Sequence, residues 1–318
     1  MLTVPALAAV SDNLVYSAMA VYALSFLAYA AAAARPVHAG RASELVGTGG
    51  PLVASVVAEP LSDPGRRLAA MGTSLMTLGC SLQLAALVAR GLAAGRPPWG
   101  NMYEFAVAIS AVAAVVYLVL LRRLPIRGLG VWVVGAVLLS LGLATTVLYA
   151  PAGALVPVLN SYWLVLHVSA AIIAGGLFTI GAVTSLLLLL RRRRDRRFDS
   201  AGSADDPPPL DASRLPEAAS LGDWSHRIHV FAFPIWTFAV LAGAIWAENA
   251  WGRYWGWDPK ETWAFITWVL YAAYLHAQST AGWQRRAPWF ALAGYLALVF
   301  NFFGVNLWIT GLHSYAGV

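Results

Sequence analysis

Residues 162–190 read YWLVLHVSAAIIAGGLFTIGAVTSLLLLL, and residues 191–197 read RRRRDRR. No Asp, Glu, Lys or Arg interrupts the first stretch. At 1.5 Å per residue it is longer than a hydrocarbon core of about 30 Å. A helix here crosses a bilayer with tilt or starts outside it, and the arginine run marks where it leaves. On either side lie seven more apolar runs of about the length a span requires: 13–34, 69–90, 103–121, 129–150, 227–247, 262–281 and 288–311. The expected fold is all-α: a polytopic membrane protein of about eight transmembrane helices.

Composition points the same way. Of 318 residues, 59% are hydrophobic and 11% are charged, against roughly 25% charged in soluble domains. The net charge is +6, but the arginines sit at the ends of apolar runs and not on one polar face. The expected partner is therefore a lipid bilayer and not nucleic acid. Cys80 is the single cysteine and lies inside an apolar run, where it reads as a small apolar filler. One cysteine forms neither an internal disulfide nor a CxxC pair, so any thiol chemistry uses a partner's thiols. The first residues lack a basic n-region and the first run is too long for a cleaved signal peptide, so none is expected.

Basic residues set the orientation. The connections at 35–67, 122–127, 191–226 and 282–287, with Arg227, hold 17 of the 21 Lys and Arg; the opposite side holds Arg90, Arg96, Arg253 and Lys260. The positive-inside rule makes the first group cytoplasmic and both termini extracytoplasmic. The segment 191–225 is polar and rich in Pro, Asp and Ser. It reads as a flexible cytoplasmic linker between a five-helix part (1–190) and a three-helix part (226–318). Its arginines either anchor topology or bind anionic lipid.

Tryptophan is unevenly distributed. Six of fourteen fall within 246–268, WAENAWGRYWGWDPKETWAFITW, around the extracytoplasmic loop between spans six and seven. Gly252 and Gly256 break the helix there, Pro259 starts a new one, and Asp258 with Glu261 three residues on forms a capping-box-like pattern. One reading is a membrane-interface belt and a helix cap. A belt, however, spreads its rings over both faces. Rings gathered on one loop beside Arg253 and Lys260 suit a planar apolar ligand with acidic groups.

These residues carry a resemblance. WGRYWGWDPKETW resembles the tryptophan-rich WWD signature of haem-handling membrane proteins. YLHAQ (274–278), NLWITGLHSY (306–315) and PPWGNMYEF (97–105) look like the CcsA, or ResC, family of system II cytochrome c biogenesis. The likeness is specific over about 160–318 and general elsewhere. It implies a cytochrome c haem lyase, or synthase, of the bacterial cytoplasmic membrane, active on the extracytoplasmic face. Its cargo would be haem b at an external site and a transmembrane site, and its substrate the CxxCH motif of an apocytochrome c.

Six histidines are available to such a site: His38, His167, His226, His229, His276 and His313. Neutral imidazole is a common axial ligand for haem iron, and intramembrane histidines are functional candidates by default. The resemblance implies that His167 and His313 ligate haem externally. His276, about 21 Å below the outer surface, would be the transmembrane ligand. The mate of His276 is expected from a CcsB (ResB) partner, because no other histidine reads as lying at comparable depth within a span. Alternatively, His276 simply hydrogen-bonds between helices. His226 and His229 read as surface or interfacial, with haem entry as the alternative, and His38 as solvated.

The resemblance places Trp255, Trp257 and Asp258 beside the reacting groups. Trp251 and Trp263 would join them against the ring, with Arg253 and Lys260 as partners for the propionates unless they pair with Asp258 or Glu261. The reaction would join the haem vinyls to apocytochrome thiols, so the chain contributes proximity and orientation. Haem would enter near His276 and pass outward, and a thioredoxin-like reductant is a possible further partner. Competing readings are a haem exporter without attachment activity, a b-type electron-transfer subunit, and a transporter of some other solute.

Overall fold

The computed structural model describes residues 3–35, 64–153, 159–201 and 216–313. The His38 loop and most of the Pro-rich part of the linker lie outside the described residues. Among those described there are helices and no strand. They are α1 (Val4–Ala34), α2 (Pro64–Ala94), α3 (Met102–Leu121), α4 (Gly130–Thr146), α5 (Tyr162–Ala201), α6 (Ala218–Trp251), α7 (Pro259–Ser279) and α8 (Ala287–Val299). A π-helical turn, Phe300–Gly304, and a last short helix, α9 (Val305–Trp308), continue α8.

Seven of these helices are long and apolar enough to cross a membrane, α8 to α9 counting as one. The eighth expected span, α7, has 21 residues but a more polar composition. It packs between α6 and α8 nonetheless, and it also meets α5, where Phe178 stacks on Tyr271 of α7 at 3.7 Å between ring centroids.

The helices alternate in direction. Arg90, at the end of α2, reaches Asp12 near the start of α1, Glu104 at the start of α3 and the Ala150 carbonyl beyond α4. The start of α3 in turn meets the start of α7, where Met102 Sδ lies 3.8 Å from Lys260 Nζ. The starts of the odd-numbered helices and the ends of the even-numbered ones therefore share one end of the bundle. Close helix approach comes from small residues: Gly72 and Gly79 of α2 face the rings of Tyr29 and Tyr22 of α1, the close-packing mode typical of helices in lipid.

Two expectations change. The linker expected over 191–225 is shorter, because α5 continues through the arginine run to Ala201 and α6 begins at Ala218. A helix that leaves the membrane loses its apolar period, and composition alone then reads as linker. Here the Arg191–Asp195 pair, 2.9 Å apart at i,i+4, supports the exposed turns. Secondly, the five-helix and three-helix parts share one continuous core, running from Val15 and Tyr22 of α1 to Trp236 of α6 and Leu298 of α8.

Candidate functional site

At the end where α3, α5 and α7 start, a half-open cavity of about 190 Å³ lies between α3, α5, α6, α7 and α8. A single buried water needs roughly 10–15 Å³ on this measure, so the space suits a sizeable ligand. Its walls are mostly apolar and rich in indole: Trp99, Trp236, Trp246, Trp251 and Trp255 all line it. Both outer histidines line it too.

His167 sits in the second turn of α5. Its Nδ1 lies 2.7 Å from the carbonyl oxygen of Ala239 on α6. A carbonyl only accepts, so Nδ1 carries the proton and Nε2 the lone pair. Gly243 makes this fit possible, since a Cβ there would stand 2.7 Å from the same nitrogen. The imidazole lies nearly parallel to Trp246, at 6.4 Å and 9°.

His313 follows the last helix in a turn. Its Nδ1 lies 2.8 Å from Asp258 Oδ2, and the neighbouring Leu312 amide donates to Asp258 Oδ1 at 2.7 Å. The same geometry again puts the proton on Nδ1 and the lone pair on Nε2. Its ring is 5.8 Å from Trp246 and 5.0 Å from Trp251. Trp246 thus neighbours both histidines, which are 146 positions apart in the chain.

Electrostatics keep the His313 imidazole neutral. Burial pushes the His313 imidazole below its ordinary 6.5; the Asp258 hydrogen bond pulls it back up, and Lys260 pushes it further down. Burial raises the Asp258 carboxyl, but the hydrogen bonds from His313 and Leu312 outweigh it and hold the group below 3.8. At neutral pH a carboxylate therefore faces a neutral imidazole. Such carboxylate–histidine pairs orient a metal-binding ring and raise its basicity.

Local sequence explains the loop. Asp258 caps α7, accepting from the Lys260 amide at 3.2 Å, in a full capping box with Glu261. Glu261 Oε2 accepts from the Gly256 amide at 2.8 Å and the Asp258 amide at 3.1 Å. This bracket holds Trp257 at φ 58°, a left-handed conformation uncommon for a bulky residue, and turns its ring outward to 66% exposure. Trp257 packs edge-on to Trp255 and Phe265 and lies outside the cavity lining, while Trp263 packs against Phe300 at 4.3 Å.

The two cations separate. Arg253 Nη1 stands 3.5 Å from Glu261 Oε1, and its guanidinium covers Gly256. Lys260 lines the cavity with its ammonium against the Met102 thioether. The structure therefore brings His167, His313, Trp251, Trp255 and Lys260 together. Asp258 stands behind His313, and Arg253, Trp257 and Trp263 sit to the side.

His276 lies far along α7 on an exposed face, while Tyr274, two residues earlier, is fully buried. His229 is a correction. Expected at a surface, it is completely buried, with Nδ1 bonded to the Ser225 carbonyl at 2.7 Å and its ring 4.4 Å from Tyr274. The reason is that α6 starts nine residues before the apolar run, which places His229 on the inward stripe Ser225, His229, Ala232, Trp236. A second histidine therefore does sit near the depth of His276, but it faces the bundle interior. His226 is exposed.

Fold and site together define a polytopic helical membrane protein with an indole-walled, two-histidine cavity at one end. Over residues 99–313 the chain matches the family described as cytochrome C assembly protein. It is 36% identical over 251 residues to the cytochrome c biogenesis protein CcsA of Prochlorococcus marinus, covering 72% of this chain and 78% of that protein. Against the protein of the same name from Synechococcus elongatus it is 35% identical over 290 residues (78% and 88%), and against that of Marchantia polymorpha 30% over 277 (77% and 87%). A solved structure of the cytochrome c haem lyase CcmF shares the fold, with a TM-score of 0.63 over 99% of this chain at 16% identity. The chain spans about half, 51%, of that structure's length. The protein belongs to the cytochrome c assembly family, in its CcsA branch, and is a membrane protein of cytochrome c biogenesis.

Proposed function

We propose that the cavity receives haem b as cargo on the extracytoplasmic face of a bacterial cytoplasmic membrane and presents it to an apocytochrome c. The chain would be the membrane subunit of a system II haem lyase. The observation that carries this reading is the matched state of the two histidines. Each has its Nδ1 proton committed to an acceptor, Ala239 O for one and Asp258 Oδ2 for the other, which makes Nε2 the donor nitrogen for iron in both. Indoles beside them suit the faces of a porphyrin, and Lys260 suits a propionate.

Haem supplies two vinyl groups, and the apocytochrome CxxCH motif supplies two thiols, each of which adds across a vinyl to give a thioether. The chain's own residues do the rest. His167 and His313 hold the iron, the indoles fix the ring plane, and the apolar walls exclude water. Proximity and orientation of this kind are worth several kcal/mol of barrier. The single buried cysteine leaves the thiols to the substrate. His276, exposed on α7, would bind a transmembrane haem together with a histidine of a CcsB (ResB) partner, before haem moves outward. A thioredoxin-like protein would keep the apocytochrome thiols reduced.

The test is a reduced-minus-oxidised visible spectrum of detergent-purified protein, alone and with the partner. Wild type should carry acid-extractable low-spin haem, His167→Ala and His313→Ala should weaken it, and His276→Ala should lose haem only in the complex. A haem-free wild type, or unchanged haem in all three variants, overturns the assignment.

A further inference from the structure

We propose that the turn Trp99–Met102, supplied by the first half of the chain, is a further wall of the porphyrin site, and that Glu104 is the residue that positions it. The inference rests on reading the cavity as a haem site. Trp99, Gly100, Asn101 and Met102 line the cavity together with Trp251, Trp255 and both histidines. The wall continues inward through Phe105, whose ring stacks at 4.8 Å on Phe302 of the π turn.

The turn is fixed from beneath by one carboxylate. Glu104 Oε2 accepts from Arg96 Nη1 at 2.7 Å and from the Gly100 amide at 2.8 Å. A single oxygen thus ties the approach to the turn and its tip together. Oε1 accepts from Arg90 Nε at 3.0 Å and Arg96 Nη2 at 3.2 Å, and Asn101 Oδ1 accepts from the Glu104 amide to cap α3. Arg90 extends the cluster to Asp12, and Arg96 extends it to the Gly153 carbonyl. Arg90 and Glu104 are 2% and 1% exposed.

Buried ion pairs of this kind add little stability over apolar side chains of equal volume. What four converging donors do provide is one defined geometry. That geometry puts Trp99 and Met102 on either side of the anchored Gly100 amide, both in the cavity wall. The polar cluster at the end of the first half of the chain thereby sets the shape of a site whose metal ligands come from the second half.

The experiment uses detergent-purified full-length protein titrated with haem and, separately, with metal-free protoporphyrin IX, which needs walls but no axial ligand. Trp99→Ala should weaken both porphyrins about tenfold, equivalent to about 1.4 kcal/mol. His167→Ala and His313→Ala should weaken haem alone. Glu104→Gln should lower affinity for metal-free porphyrin, and it should also lower the melting temperature because it leaves the buried Arg90 without its counter-charge. In the Trp99→Ala background it should add nothing further, because its effect runs through that wall; a merely structural role would add to the loss. If Trp99→Ala binds metal-free porphyrin as wild type does while the histidine variants lose haem, the wall is refuted and the haem reading survives. If wild type binds neither porphyrin, both fall. If Glu104→Gln does not fold, Trp99→Ala decides for the wall, and Glu104→Asp, which keeps the charge, decides for the positioning role by retaining or losing metal-free porphyrin affinity.

Discussion

Replacing Asp258 by Asn isolates the carboxylate–histidine contact. Besides the capping-box bond from the Glu261 amide, the carboxylate accepts from Leu312 N at 2.7 Å, His313 Nδ1 at 2.8 Å and Lys260 N at 3.2 Å. Asparagine is as good an N-cap as aspartate, so α7 should persist. It offers one acceptor oxygen and one NH₂ group, however. With the oxygen kept toward His313 and Lys260, the NH₂ faces the Leu312 amide, donor against donor. The loss of one hydrogen bond to a charged group costs about 1.5–3 kcal/mol, or roughly 10–150-fold in the population with Gly311–His313 docked. The remaining contact to His313 also loses its charge, and metal affinity falls about 10–100-fold when such outer partners are removed. A carboxylate-bonded imidazole favours ferric iron, so Asp258→Asn should also raise the haem potential, by about 59 mV for each tenfold preferential loss of the ferric state. The assay is a haem titration with a spectroelectrochemical potential, run beside a thermal melt. An Asp258→Asn protein that melts as wild type and keeps haem affinity and potential within about twofold would refute the argument.

Gly243→Ala puts a methyl 2.7 Å from His167 Nδ1; haem content should drop several-fold at an unchanged helical signal, because Ala favours the helix itself. Gly181→Ala meets His229 at 2.5 Å and should destabilise the fold by about 1–3 kcal/mol, read as a lower melting temperature with no change in ligand preference at the cavity. His276→Ala, on an exposed face, should leave the melting temperature of the isolated chain unchanged; a marked drop would reassign this residue to helix packing. The depressed imidazole of His313 fixes a sign for pH. The undocked segment binds protons more readily, so docking is complete above pH 6.5 and weakens as pH falls from there toward the lower docked value. The protection of the Gly311–His313 amides, with exchange referred to the intrinsic rate at each pH, should fall across that range, and constant protection would contradict it.

The apolar runs carried the fold, because a bilayer admits few spanning structures and the arginines mark their ends. α7 was legible as a helix, but polar residues such as Gln278 and Thr267 leave it outside the seven helices apolar enough to cross a membrane. Asp258 was readable as a cap from its neighbours, but its bond to His313, 55 positions away, was not, since nothing local encodes a long-range contact. The loop tryptophans looked alike in sequence. The Glu261 bracket and a left-handed backbone at Trp257 separate them into lining and exposed rings. Trp246 reaches the cavity through helix register and Trp99 through the turn before α3, and His229 escaped because the true start of α6 lies in polar sequence.

The π turn at Phe300–Gly304 has its Val305 amide bonded to the Phe300 carbonyl, five residues back, where an α-helix would reach back four. One extra residue in a turn is a phase step of about 100° for everything downstream. Trp308 and the His313 turn therefore face a compass direction that an unbroken helix would miss. Closing the turn into α geometry with all five residues kept would swing the chain's end away from Asp258, whereas removing one residue of it would restore a regular helix and leave the downstream face where it is.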